Sequence, residues 1–254
     1  MASQALSKDE QKILAANTAI DTLVREGSIF SGMRIGLGTG STALPAVRRL
    51  SELIRGGALS GVKAVATSFQ TENCCRDLGI PLFSMNDREI GGELDLAIDG
   101  ADEIDGENNL IKGGGAALLL EKVVAYSAKS YAIVADESKA VAHMGTAFPL
   151  PVEIVGSARL CVQRALERLG ASSVLREGVR KCGPVITDNG NQILDATWKT
   201  PVNPKEMEDA ISAIAGVVEV GFFTRRPPVV FIARADGSVA VRRPRAGGDC
   251  AKSQ

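Results

Sequence analysis

Two spacings of apolar residues take turns along the first half of the chain. Between residues 8 and 26, Ile13, Ala16, Ile20, Leu23 and Val24 recur at helical intervals and predict an amphipathic helix. A short apolar run over 33–37 predicts a strand, followed by the turn Gly36-Leu37-Gly38-Thr39-Gly40-Ser41-Thr42. A second helical pattern then runs through Ala46, Val47, Leu50, Leu53 and Ile54. The unit repeats as a strand over 62–67, a polar turn over 68–71 and a helix to Leu78. Residues 81–85 are a further predicted strand. Next come a strand ending at Asp99, a helix over AALLLEKVVAYSA and a strand over 131–135. Strands alternating with helices predict an α/β fold, a Rossmann-like parallel sheet with helices on both faces.

The pattern changes near Phe148-Pro149-Leu150-Pro151. A strand over 152–155, a helix over 158–169 and a strand over 173–176 follow. Residues 185–187 and 192–197 read as a hairpin turned at Asn189-Gly190, a dipeptide suited to tight hairpin turns. A helix from Asn203-Pro204 to before Gly216 leads into a strand over 217–223. Strand, helix, strand, strand, helix, strand is the order of a ferredoxin-like α+β unit. Two last strands, over 229–233 and 239–242, are expected to rejoin the first sheet, and the chain from Pro244 onward to be disordered. The chain therefore divides into an α/β domain, 1–147 with 229–254, and a smaller ferredoxin-like domain, 148–228.

Composition narrows the function classes. A formal charge of −1 gives no global field toward nucleic acid or a membrane, and the apolar runs are too short to span a bilayer. The basic run at Arg242, Arg243 and Arg245 lacks aromatic interleaving and reads as tail. The first residues show no secretory pattern, and five scattered cysteines without a CxxC read as free thiols of a reducing cytoplasm. His143 is the only histidine and, like Trp198, reads as a surface or packing residue.

Candidate chemistry concentrates in Asp95 to Glu121, DLAIDGADEIDGENNLIKGGGAALLLE. Asp99 ends an otherwise apolar strand, Asp102 follows three residues later, and Lys112 precedes Gly113, Gly114 and Gly115. Glu121 shares a helix face with Ala117, Leu118, Val124 and Ala125, an apolar stripe with no basic partner at helical spacing. A carboxylate there belongs in a site. The segment is not an EF-hand, because Ala101 stands at a ligand position, and no metal ligand set surrounds it. The GLGTGST turn opens a helix, where N–H groups and the dipole favour an anion. Ser41 stands where the dinucleotide fingerprint needs glycine, and no lysine precedes it as a Walker motif requires. Hydroxyls at Thr39, Ser41 and Thr42 suit a small phosphate or sugar oxygens. Thr67-Ser68 offers a second helix start at the same sheet edge. Asp105 and Glu107 read as solvated turn residues.

GLGTGSTA, TSFQT, DGADEID, KGGGAALLLEK, VADESK, FPLPVEI, VITDNGNQILD and AIAGVVEVGFF together resemble ribose-5-phosphate isomerase of type A, in that family's order from Gly36 to Phe223. The resemblance implies interconversion of ribose 5-phosphate and ribulose 5-phosphate through an enediolate, without metal or cofactor. It implies Glu121 as catalytic base, with Asp99, Asp102 and Lys112 at the reacting end and Asp99, assisted by Asp102, opening the furanose ring. Implied substrate contacts are Gly38, Thr39, Gly40, Ser41, Thr42, Thr67, Ser68, Gly100, Ala101, Gly113, Gly114, Gly115 and Lys139. It further implies a homodimer or homotetramer, with oligomer contacts in 148–228. The departures are Pro45, the Arg225-Arg226-Pro227-Pro228 segment and a longer C-terminal tail. The main alternative is a non-catalytic sugar-phosphate-sensing module, which has no use for Glu121 and would need a helix pair where only one fits before Gly36. A sugar-phosphate deaminase or CoA transferase is a further alternative, opposed by the pairing of KGGG with DGADE.

Overall fold

Strand–turn–helix units lay their strands side by side and return each helix across a face of the sheet. In the computed structural model, which describes residues 5–244, α1 (Lys8–Arg25) leads into β1 (Arg34–Leu37), α2 (Ala43–Arg55), β2 (Lys63–Ala66), α3 (Phe69–Leu78) and β3 (Leu94–Asp99). A short hairpin, β4 (Glu103–Ile104) and β5 (Leu110–Ile111), precedes α4 (Leu118–Tyr126) and β6 (Ala128–Asp136). Then come β7 (Leu150–Ile154), α5 (Arg159–Arg168), β8 (Ser172–Leu175), β9 (Gln192–Thr197), α6 (Pro204–Ser212) and β10 (Val217–Val220). The last strands are β11 (Phe222–Phe223), β12 (Val229–Ala233) and β13 (Val239–Arg242).

The main sheet has the order β13-β12-β6-β3-β1-β2. Its pairs are parallel apart from β13, which returns antiparallel along β12. The chain leaves β1 for β2 on one side, and β3 then adds on the other, so the strand order reverses between β1 and β3. Sheets of this kind open a ligand crevice at such a point, beyond the carboxyl ends of the strands. One face is sealed by Ala16, Ile20, Val47, Leu50 and Cys75 from α1, α2 and α3, and the other by Val124 and Ala125 of α4.

A second sheet, β10-β7-β9-β8, is antiparallel throughout. With α5 and α6 it has the strand order of a ferredoxin-like unit. A third, small sheet, β11-β5-β4, lies between the two.

Four expectations need correction. Residues 81–85 form no strand: Ala64 keeps one parallel bridge with Leu82, and Asp87 then turns the chain by accepting from the Ser84 N–H. Residues 185–187 are not a hairpin arm, although the turn at Gly190 is present with φ 82°. Thr187 and Asn191 instead donate their side chains to the buried Glu153 carboxylate, which pulls this arm out of the ladder. The single strand over 217–223 is two, because the chain changes sheets at Gly221. On α1 the buried stripe is Ala15, Ala16, Ala19, Ile20 and Leu23, while Ile13 is 49% exposed.

The basic run is tail only in part, since Arg242 ends β13 and donates to the Asp105 carbonyl, and Arg243 pairs with Glu26. Residues 245–254, most of the segment expected to be disordered, lie outside the described residues. Among the described residues, no helix is long and apolar enough to cross a membrane.

Candidate active site

β3 delivers Asp99 to the crevice between β1 and β3. There Gly38 makes room for it: a Cβ at position 38 would come within 1.8 Å of Asp99 Oδ1. That oxygen accepts the N–H groups of Gly100, at 2.7 Å, and Thr39, at 3.1 Å. Asp99 Oδ2 meets Lys112 Nζ at 2.8 Å. Lys112 follows β5, and its ammonium also donates to the Gly100 carbonyl at 2.6 Å. Glu121, in the first turns of α4, brings Oε2 to 3.3 Å from the same nitrogen. That oxygen is buried without a hydrogen-bond partner. Asp99, Lys112 and Glu121 are 3%, 2% and 5% exposed, so none of these charges is offset by bulk water.

Burial therefore governs their ionisation. It pushes the Glu121 carboxyl up to about 8, against the opposing pull of Lys112 and with help from Asp99 and Asp102. Burial likewise raises Asp99. For Lys112 burial works downward but is overcome by Asp99 and Glu121, which hold it protonated. A fixed cation thus lies beside a carboxylate poised to hold or release a proton near neutral pH.

The glycine loop after Lys112 supplies the next wall. Gly113 has φ +102°, open to glycine, and the Gly114 N–H donates to Asp102 Oδ2 at 2.7 Å. Opposite stands the loop opening α2. Thr39 Oγ1 lies 2.7 Å from both Thr67 Oγ1 and Ser68 Oγ, and Gln70 Oε1 accepts the Gly40 N–H, so α3's first turn fixes this loop. Thr42, at the start of α2, makes no side-chain capping bond. The N–H groups of Ala43 and Leu44 are taken by the Gly40 carbonyl, so it is the loop Thr39 to Thr42 leading into α2 that borders a cavity of about 180 Å³, sized for a small metabolite.

Its lining is Thr39 to Thr42, Gly100 to Asp102, Lys112 to Gly115, Glu121, Lys139 and Lys12. Most of the expected contacts meet here, but Gly38, Thr67, Ser68 and Asp99 stand behind the wall. Gly38 packs on Asp99, Thr67 and Ser68 on Thr39, and Asp99 on Lys112. A desolvated carboxylate beside an ammonium, facing a helix start that favours anions, suits proton transfer at carbon in a phosphorylated substrate.

The family model for ribose 5-phosphate isomerase A (phosphoriboisomerase A) matches residues 63–237. The chain belongs to the ribose 5-phosphate isomerase A family. It is 55% identical to the ribose-5-phosphate isomerase A of Treponema denticola over 236 residues, 92% of this chain and 99% of that protein. The structure of ribose 5-phosphate isomerase A from Methanocaldococcus jannaschii superposes with a TM-score of 0.84 at 39% identity, over 93% of this chain and all, 100%, of that one. A D-ribose-5-phosphate isomerase solved in complex with phospho-erythronic acid gives 0.86 at 36% identity, over 93% and 100% of the two chains. The chain is therefore an aldose–ketose isomerase of ribose 5-phosphate, and the sensor, deaminase and transferase alternatives fall.

Lys12 is the lining residue of this isomerase that sequence reasoning missed. It stands on α1, ion-paired to the exposed Asp9, and also borders a groove between α1 and α2. Nothing in its sequence neighbourhood separates it from the other surface lysines of an amphipathic helix.

Proposed function

We propose that Glu121 is the general base that carries a proton between C2 and C1 as ribose 5-phosphate and ribulose 5-phosphate interconvert through an enediolate. The observation carrying this reading is the burial of its carboxylate beside Lys112, with one oxygen free of hydrogen bonds. Desolvation makes that carboxylate a stronger base than a surface glutamate. As the proton leaves carbon, negative charge grows on the adjacent oxygen. The Lys112 ammonium, locked by Asp99 and the Gly100 carbonyl, needs no reorganisation to meet it. Asp99 has both oxygens engaged and acts here through Lys112. Asp102 lines the cavity and takes over the ring-opening proton transfer first assigned to Asp99.

The phosphate is assigned to the start of α2, with Thr39, Ser41, Thr42, Lys12 and Lys139 around it. The related isomerase that holds phospho-erythronic acid supports the enediolate step, since that ligand joins a phosphate to a planar carboxylate shaped like an enediolate. The same proposal makes the protein a cytoplasmic homodimer or homotetramer, with contacts from the ferredoxin-like unit. The free thiols Cys74, Cys75, Cys161 and Cys182 fit that compartment, and mass in solution tests the assembly.

The pH dependence tests the base. Glu121 must be unprotonated to act, so kcat/KM should rise with pH through a value raised toward 8. The acid limb should therefore lie above about pH 6, where the substrate's phosphate itself titrates. A limb centred near the ordinary carboxylate range, about pH 4–5, would remove Glu121 from this role.

A further inference from the structure

Arg176 directly follows β8 in the second sheet, and its guanidinium reaches the glycine loop of the first. Nε and Nη2 donate to the two Asp195 oxygens at 2.8 and 2.5 Å, a bidentate pair that fixes the plane of the fork. Nη1 donates to the carbonyls of Gly113, at 2.9 Å, and Gly114, at 3.1 Å. In a trans peptide the C=O and the following N–H point in opposite directions. The unit joining Gly113 to Gly114 is therefore held at both ends, its carbonyl by Arg176 and its N–H by Asp102 Oδ2. The next unit has its carbonyl on Arg176 as well, which turns the Gly115 N–H to the opposite side of the loop. Gly115 lines the cavity, and a Cβ there would meet nothing closer than Thr39 Cγ2 at 3.8 Å.

We infer that Arg176 is a positioning residue for the isomerisation: braced by Asp195, it sets two peptide planes of the glycine loop so that Gly114 aims Asp102 and the Gly115 N–H faces a substrate oxygen. The second sheet thereby shapes the catalytic wall without touching substrate. This inference rests on the reading of Asp102 as a group that acts on substrate. A merely structural Arg176 would hold the two sheets together and leave the chemistry of Asp102 unchanged.

A double-mutant cycle separates the two roles. Arg176→Gln, Asp102→Asn and the double variant are assayed for kcat and KM with ribose 5-phosphate, well below their melting temperatures. Arg176→Gln should lower kcat about 10- to 100-fold, the scale of a misplaced catalytic group, and shift KM by less than about threefold. Added to Asp102→Asn, it should cost at least about threefold less than it does alone, because one of its two targets is already gone. Arg176→Lys keeps the charge but cannot span the carboxylate and both carbonyls, so it should fall in between; it carries the same cycle if the glutamine variant does not fold. Losses that multiply in full, or a lowered melting temperature with kcat intact, would overturn the inference. A fully active Asp102→Asn would overturn it too, by removing the reading beneath it, whereas a damaging Asp102→Asn with multiplicative losses removes Arg176 alone.

Discussion

Lys112 carries one positive charge against two buried carboxylates, Asp99 and Glu121, so one carboxylate is in excess. Glu121 and Lys112 therefore predict opposite responses to their removal. The folded-state pKa of Glu121 is raised from 4.5 to about 8, so across that interval the folded chain holds a proton that the unfolded chain has released. Its contribution to stability is complete below the unfolded value and is lost as pH rises through the folded one. Glu121→Gln, free of that loss, should be more stable than the parent above about pH 8, with the gap closing toward pH 4.5. Lys112→Ala leaves Asp99 and Glu121 facing one another without a cation, and should destabilise by about 3–5 kcal/mol. Chemical denaturation of both variants across that pH range checks the pair of signs. A destabilised Glu121→Gln at high pH would mean that its carboxylate is a structural ion-pair partner and not a strained base.

At the scale of elements, α4 is held from two sides by adjacent residues. Glu121 turns toward Lys112. Lys122 reaches Glu219, Glu208 and the Val220 carbonyl, with its ammonium 4.7 Å from the Phe223 ring centroid. The chain after Val220 must then change sheets within one residue, Gly221. Its N–H donates to the Pro151 carbonyl and its own carbonyl accepts from the Lys112 N–H. A Cβ there would meet Lys112 O at 2.6 Å and Pro151 O at 2.9 Å, both backbone atoms with little freedom to move. Gly221→Ala should thus cost about 1–3 kcal/mol and lower kcat by displacing Lys112. Thermal unfolding and steady-state kinetics on one preparation check this, and unchanged values would show that the crossing is slack. The sequence hid this crossing because VVEVGFF, residues 217–223, has strand composition throughout, and a glycine within a strand pattern marks equally a bulge or a close approach.

At the scale of the whole molecule, the site forms where two separately legible sheets meet. The parallel sheet showed in the alternation of periods, and the ferredoxin-like order in the sequence of its elements. Asp99, Lys112 and Glu121 were legible because each breaks a local pattern: a carboxylate ending an apolar strand, a lysine entering a glycine run, a carboxylate on an apolar helix face. Arg176, Lys122 and Lys12 break none. Their partners are brought in by the fold, 63 residues away for Arg176 and Gly113 and 86 for Lys122 and Glu208, a relation that no local spacing records. Nor could spacing tell which hydroxyls face the cavity, since Thr67 and Ser68 are used up in fixing Thr39. With a net charge of −1, the molecule has no broad field to draw in a phosphate, and under the proposed reading the local cations Lys12 and Lys139 do so. The role given to Glu121 is tested most directly by carbon-bound proton exchange: ribose 5-phosphate is incubated with enzyme in heavy water, and loss of the C2 proton signal is followed by NMR. The parent enzyme should exchange that proton as it isomerises, and folded Glu121→Gln at least ~10²-fold more slowly, as for loss of a general base. Exchange by Glu121→Gln at the parent rate would contradict the account.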